Sequence, residues 1–191
     1  DLISFPYSNA AQMLADLQER MKGSFPAVSG EAVSVTVKPV SGSLKDYTAP
    51  AFYLTAPLDD TVNNVIYINT GKTPSGLELY TTLAHEGYPG HLYQSVYHGR
   101  RCLAGKSRTA GELIWYGGYL EGWAVYVEFL SYDYASALLK ENMLEEDAVL
   151  IQIEKHNRSL QLCLYSLLDI MIHYENASFH KIAKVLENFG I

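Results

Sequence analysis

The apolar residues of this 191-residue chain change their spacing near residue 72. Between residues 32 and 69 they alternate in short runs separated by prolines and a glycine, which predicts about three strands in a small antiparallel or mixed sheet. After residue 72 they recur at helical spacing, and an amphipathic helix is also predicted before the strands, over residues 9–22. The pattern therefore predicts an α+β fold with a small N-terminal β-sheet and a mainly helical C-terminal half.

Length and composition favour a single domain over residues 1–191, with a helix and the sheet in 1–72 and the remaining helices in 73–191. The chain has 14 basic and 21 acidic residues, a net charge of −7, and no basic cluster of the kind that binds phosphate backbones. Nucleic acid is therefore not an expected partner. No apolar stretch approaches the roughly 20 residues that cross a bilayer, so no membrane span is expected either.

The helical half divides at its apolar pattern and its turn residues. Long helices are predicted over Gly111–Leu139 and from Glu141 to about Tyr174, and a short last helix over Phe179–Asn188. All of the residues with candidate chemistry lie in this half.

A histidine followed by glutamate, and a second histidine six positions later, stand in one predicted helix with the sequence H-E-G-Y-P-G-H. In the common zinc peptidase motif the two histidines are four apart, so that one helical turn places both imidazoles on the same face. A separation of six turns His91 about 120° away from His85. Pro89 cannot donate to the carbonyl of His85, and Gly90 tolerates unusual dihedral angles. We therefore predict a bulged turn that brings His91 back beside His85.

Glu121 lies in an otherwise apolar helical segment, Y-L-E-G-W-A, thirty positions after His91 (121 − 91). A carboxylate buried there would need a partner, which could be a divalent metal or a basic side chain. Gly122, the next residue, would allow a metal or another backbone to approach closely.

Two imidazoles and one carboxylate leave a fourth tetrahedral position open, as in catalytic zinc sites. The predicted site is one Zn²⁺ held by His85, His91 and Glu121, with Glu86 as the general base. The reaction class that follows is hydrolysis of a carbonyl bond, with a peptide or a small amide as substrate.

Further polar residues could complete this site. Glu128, one heptad after Glu121, is either a rival third ligand or a partner that orients a histidine. Along the next helix, four polar residues fall on one stripe among apolar neighbours: Arg158, Tyr165, Asp169 and His173. We predict that this stripe is a cleft wall, with Asp169 orienting a catalytic His173; the alternative is a hydrogen-bond network without a catalytic role.

At these residues the chain resembles the DUF885 family of bacterial proteins, which are similar to variant metallopeptidases of the gluzincin type. The resemblance rests on H-E-G-Y-P-G-H, on E-G-W-A with Glu128 following, and on D-I-M-I-H at Asp169–His173. It covers the chain from about residue 45 onward. It implies a zincin-like fold, ligands at His85, His91 and Glu121, and a base at Glu86.

Two features depart from the family pattern. Leu92 stands where a second consecutive histidine is common. Family members are usually several times longer, so the resemblance implies that this is the C-terminal catalytic part of a parent chain with an N-terminal helical region. Two alternatives remain open, a zinc esterase or amidase acting on non-peptide substrates, and a metal-free binding or scaffold domain.

Overall fold

A computed structural model describes residues 3–57, 60–72, 76–101 and 116–191. The chain divides into two units, residues 1–151 and 152–191. The helices are α1 (Ala10–Arg20), α2 (Gly76–Glu86), α3 (His91–Arg101), α4 (Gly117–Glu141), α5 (Glu145–His173) and α6 (Phe179–Asn188). The strands are β1 (Ser34–Pro39), β2 (Ala51–Leu54) and β3 (Asn63–Ile68), and a single 3₁₀ turn covers Gly42–Leu44.

The three strands form one mixed sheet in the order β1-β3-β2. β1 runs parallel to β3, whereas β2 runs antiparallel to it and forms one edge of the sheet. The small N-terminal sheet and the mainly helical remainder confirm the predicted α+β fold. The sequence left an antiparallel and a mixed sheet open, because side chains alternate between the two faces in any strand, and the sheet is mixed.

The core of the first unit lies between α1, α2, α3, α4 and the sheet. Leu17, Tyr80, Leu83, Leu92 and Leu139 are among its fully buried side chains. α2 is fixed against α1 by a polar contact as well, since Tyr80 Oη donates to Asp16 at 2.5 Å. α2, which carries His85, is therefore fixed in place by core packing and by this hydrogen bond.

The predicted long helices differ from the observed ones mainly at their ends. α4 begins at Gly117 within the described residues, and the predicted start at Gly111 lies outside them. The break between α4 and α5 includes Met143, a non-glycine residue with a positive φ of 60°. α6 has the predicted bounds, Phe179–Asn188, because Ser178 caps its start by accepting from Lys181 N.

Among the described helices, none combines the length and the apolar character that crossing a bilayer requires.

Candidate metal centre

The histidine block forms two helices, not the single bulged helix that the sequence predicted. α2 ends at Glu86, a turn occupies residues 87–90, and α3 begins at His91. The proline explains the break, because it has no amide hydrogen to continue the ladder and its ring disfavours a helical carbonyl four residues earlier. The predicted result is nevertheless observed, since the two imidazoles lie together with ring centroids 4.9 Å apart and planes at 81°.

Gly90 is required in this turn for space. A Cβ at Gly90 would lie 1.8 Å from the carbonyl oxygen of His85 and 2.3 Å from that of Ala84. Its backbone is not in the left-handed region, so the reason differs from the conformational freedom that we expected. The start of α3 is thus packed against the last carbonyls of α2, which places His91 beside His85.

Glu121 of α4 completes the group. One carboxylate oxygen, Oε2, lies 3.4 Å from His85 Nε2, and the other, Oε1, lies 3.5 Å from His91 Nε2. These distances are long for a hydrogen bond between nitrogen and oxygen, which is usually 2.7–3.2 Å. They match the spacing of about 3.3 Å that separates two donors on a tetrahedral zinc ion with bonds of about 2.0–2.1 Å.

Glu128 contacts the opposite nitrogen of His85, one heptad further along α4. Its Oε2 lies 3.0 Å from His85 Nδ1, and its side chain is only 7% exposed. A carboxylate only accepts, so Nδ1 carries the proton, and the lone pair of a neutral ring is then on Nε2, which faces Glu121. The geometry favours Glu128 as the orienting partner of His85 over its role as a rival third ligand.

Glu86 lies in the same group, where single donor atoms of His85, Glu86 and His91 all fall within 4.8 Å of one another. That cluster contains Glu86 instead of Glu121 as the third candidate ligand beside the two histidines. We favour Glu121 as a ligand because its carboxylate faces both Nε2 atoms, whereas Oε2 of Glu86 accepts a 2.8 Å hydrogen bond from the backbone N–H of Tyr53 on β2. This bond holds Glu86 beside the two imidazoles. It uses Oε2, so Tyr53 does not contact the other carboxylate oxygen, Oε1.

The electrostatics of the group follow from burial among three carboxylates. For His85, burial lowers the pKa, but the hydrogen bond to Glu128 and the nearby negative charges outweigh it, so the pKa is raised. For His91, burial and the neighbouring His85 lower the pKa despite Glu121, which favours the neutral imidazole that a metal needs. Burial also raises the pKa of Glu86, although the Tyr53 amide and His85 oppose it. A raised pKa suits a carboxylate that takes and returns a proton near neutral pH.

One premise about Glu121, its burial, was wrong. Its side chain is 58% exposed and not buried, so the need of a buried charge for a partner applies to Glu128 instead. No heavy atom of the described residues lies within 4 Å of a Cβ built at Gly122, apart from the neighbouring backbone. Apolar residues on both sides of Glu121 gave a misleading signal, because this part of α4 is largely exposed among the described residues.

The polar stripe lies on α5 in the second unit. Asp169 Oδ1 and His173 Nε2 are 3.7 Å apart, and both side chains are more than 70% exposed. Arg158 donates to Gln161, and Tyr165 is exposed. The stripe is not enclosed in a core among the described residues, and its part in the site stays a prediction.

Trp123 is a site residue that the sequence reasoning missed. Its indole Nε1 donates to the carbonyl of Pro89 at 2.8 Å, which joins α4 to the turn between the two histidines. The signal was present in the sequence, since an indole two positions after a candidate ligand is a donor that seeks a partner when partly buried.

Comparison with known protein families shows which family the chain belongs to. A family model described as bacterial protein of unknown function (DUF885) matches residues 6–187. This chain belongs to the DUF885 family. The resemblance inferred from the histidine block is thereby confirmed, and it extends well before residue 45. No curated protein matches this DUF885 chain.

Among solved structures, this DUF885 chain is similar to one described as "the putative lipoprotein from Colwellia psychrerythraea". The TM-score is 0.61 at 18% sequence identity, and the match covers 93% of this chain and 28% of that one. At this identity the likeness shows a shared fold alone. This chain spans about a quarter of the length of that protein.

Proposed function

We propose that this DUF885 chain is a zinc-dependent hydrolase, most simply a peptidase, with one Zn²⁺ held by His85, His91 and Glu121. The observation that carries the proposal is the position of one carboxylate whose two oxygens lie 3.4 and 3.5 Å from the two Nε2 atoms. Two imidazoles and one carboxylate would leave the fourth position of a tetrahedral zinc open, which is typical of catalytic rather than structural zinc.

Glu86 is the proposed general base. When bound, zinc polarises a carbonyl and makes water a stronger nucleophile near neutral pH. Tyr53 N–H holds one oxygen of Glu86, so the other can take the proton of the attacking water and pass it to the leaving group. Glu128 binds the protonated Nδ1 of His85, so Nε2 is the nitrogen that would hold the ion.

The edge strand favours an extended peptide as the substrate. Pro50 O accepts from Asn69 N, and Phe52 and Leu54 follow in the same alternation towards β3. The backbone groups of Ala51 and Tyr53 therefore point away from the sheet, and the Tyr53 amide does so towards Glu86. A peptide that added to this edge, along Phe52–Ala56, would pass beside the base.

A zincin-like fold is part of the proposal, as is a larger protein in which this is the C-terminal catalytic part. The zincin-like fold is supported by the edge strand β2 beside α2, which carries His85, and by the position of the proposed third ligand on the later helix α4. The second comes from the resemblance to the family, and the solved structure of similar fold is also longer, since the match covers 28% of it. The predicted roles of His173, Asp169, Arg158 and Tyr165, which lie on α5 in the second unit, stay predictions.

Zinc content is the first measurement. We expect elemental analysis of the purified chain to give about one zinc per molecule, and His91→Ala to weaken zinc binding at least about 100-fold. His98→Ala, an exposed position two turns further along the same helix, is the matched control and should bind like the parent. A parent chain without metal after zinc loading, or equal binding by the His91 variant, would contradict the proposal and favour the metal-free scaffold.

Separate variants distinguish the two glutamates of α4. Glu121→Ala removes a proposed ligand and should abolish stoichiometric zinc binding. Glu128→Ala removes only the partner of Nδ1 and should keep one zinc with about 10–100-fold lower affinity. The reverse order of effects would make Glu128 the ligand.

Substrate class is tested by comparing cleavage of a peptide library with hydrolysis of simple ester substrates by the zinc-loaded chain. Cleavage of peptides supports the peptidase proposal. Turnover of esters alone would favour the zinc esterase.

A further inference from the structure

Trp123 connects two parts of the metal centre that come from distant positions in the sequence. It stands two residues after Glu121 on α4, and its indole N–H donates to the carbonyl of Pro89 at 2.8 Å. Pro89 is followed by Gly90, which packs on the last carbonyls of α2, and then by His91. One hydrogen bond therefore joins α4, which carries Glu121, to the turn that precedes His91.

The indole is itself held by aromatic neighbours. It stacks on Tyr93 of α3, with ring centroids 6.4 Å apart and planes at 19°, and meets Phe25 edge to face at 5.9 Å. Tyr93 is anchored in turn, because its hydroxyl donates to Pro26 O at 2.7 Å. The stacking on Tyr93 keeps the indole N–H directed at Pro89, so the bond joins α4 to the turn that precedes α3.

The backbone of the turn gives that connection its importance. Within the turn, Gly87 N bonds to Leu83 O, and the first turn of α3 is closed by Tyr93 N to Gly87 O and Gln94 N to Gly90 O. Each of these bonds fixes the turn to α2 or to α3. The Trp123 bond reaches it from α4, the helix that carries Glu121.

We propose that Trp123 is a positioning residue of the metal centre. Its indole N–H fixes the turn so that His91 stays close enough to Glu121 for both to bind one metal ion. The expected effect on zinc binding rests on the proposed function. The effect of Trp123 on the turn can be measured in the metal-free protein.

The test compares Trp123→Phe, which keeps an aromatic ring but loses the N–H, with Phe25→Leu, which weakens packing on the same indole but keeps the N–H. For Trp123→Phe we expect about ten-fold weaker zinc binding in a chelator competition, and an altered visible spectrum of the Co²⁺-substituted protein. Phe25→Leu should lower the melting temperature without changing either readout. If Trp123→Phe does not fold, Trp123→Met supplies a flexible apolar replacement that also lacks the donor.

A second readout uses the metal-free protein. Hydrogen exchange of the Tyr93 and Gln94 amides should be about five-fold faster in Trp123→Phe and unchanged in Phe25→Leu. Parent-like exchange in Trp123→Phe, or equal changes in both variants, would overturn the positioning role. A parent chain that binds no zinc would overturn the proposed function, and the exchange rates would still decide whether Trp123 fixes the turn.

Discussion

Glu86→Gln is expected to lower hydrolysis by about 10²–10⁴-fold while zinc remains bound. The amide has nearly the shape of the carboxylate and can still accept the Tyr53 hydrogen bond through its oxygen. It cannot take a proton from water, so the loss should appear in kcat, with KM little changed. The measurement is peptide turnover together with zinc content on the same preparation.

Glu78→Gln is the control for that variant. Glu78 is exposed in the first turn of the same helix, α2, and is not part of the site, so its removal should leave turnover at the parent rate. Parent-like turnover by Glu86→Gln would refute the role of the base. Loss of zinc from Glu86→Gln would instead indicate that Glu86 is a ligand, as its place in the group with both histidines also allows.

Gly90→Ala is expected to destabilise the chain by about 3–5 kcal/mol and to abolish zinc binding in whatever fraction remains folded. The added Cβ would lie 1.8 Å from the His85 carbonyl oxygen. The three nearest atoms to that Cβ all belong to the backbone, so no side chain can move away to make room. α3 must separate from the end of α2, and His91 would move with it.

Denaturant unfolding and zinc titration of the same sample measure both effects. The matched control is Gly118→Ala in the first turn of α4, where a Cβ meets no heavy atom within 4 Å among the described residues. We expect it to be neutral or to stabilise by up to about 1 kcal/mol, because alanine is the better helix former. If Gly90→Ala were as stable as the parent and bound zinc equally well, the close packing of the turn would not be needed for the site.

Spacing alone predicted much of the site, but the reasons for it were only partly right. A six-residue separation is wrong for one helix, and the proline and glycine between the histidines indicated where the backbone had to change. In the structure α2 ends and α3 begins there. Gly90 is required because a Cβ would clash with the backbone at the end of α2. A sequence pattern shows where a helix is interrupted but not which atoms meet across the interruption.

The two glutamates of α4 show the limit of reasoning from burial. Apolar neighbours made Glu121 look buried, yet it is exposed, and Glu128 is the buried carboxylate. Burial depends on which helices pack against each face, and this information is spread over the whole chain.

By itself, the sequence determined the α+β composition of the fold, the last helix from Phe179 to Asn188, the membership of DUF885 and the residue types of the candidate centre. These follow from local patterns, namely alternation, helical spacing, capping and a short motif. Only the tertiary structure decided that β1 pairs in parallel with β3, that Tyr53 holds Glu86, that Glu128 holds His85, and that Trp123 ties α4 to the proline turn. Each of these contacts joins residues more than twenty positions apart, and their distances are set by how the helices and the sheet pack around one core.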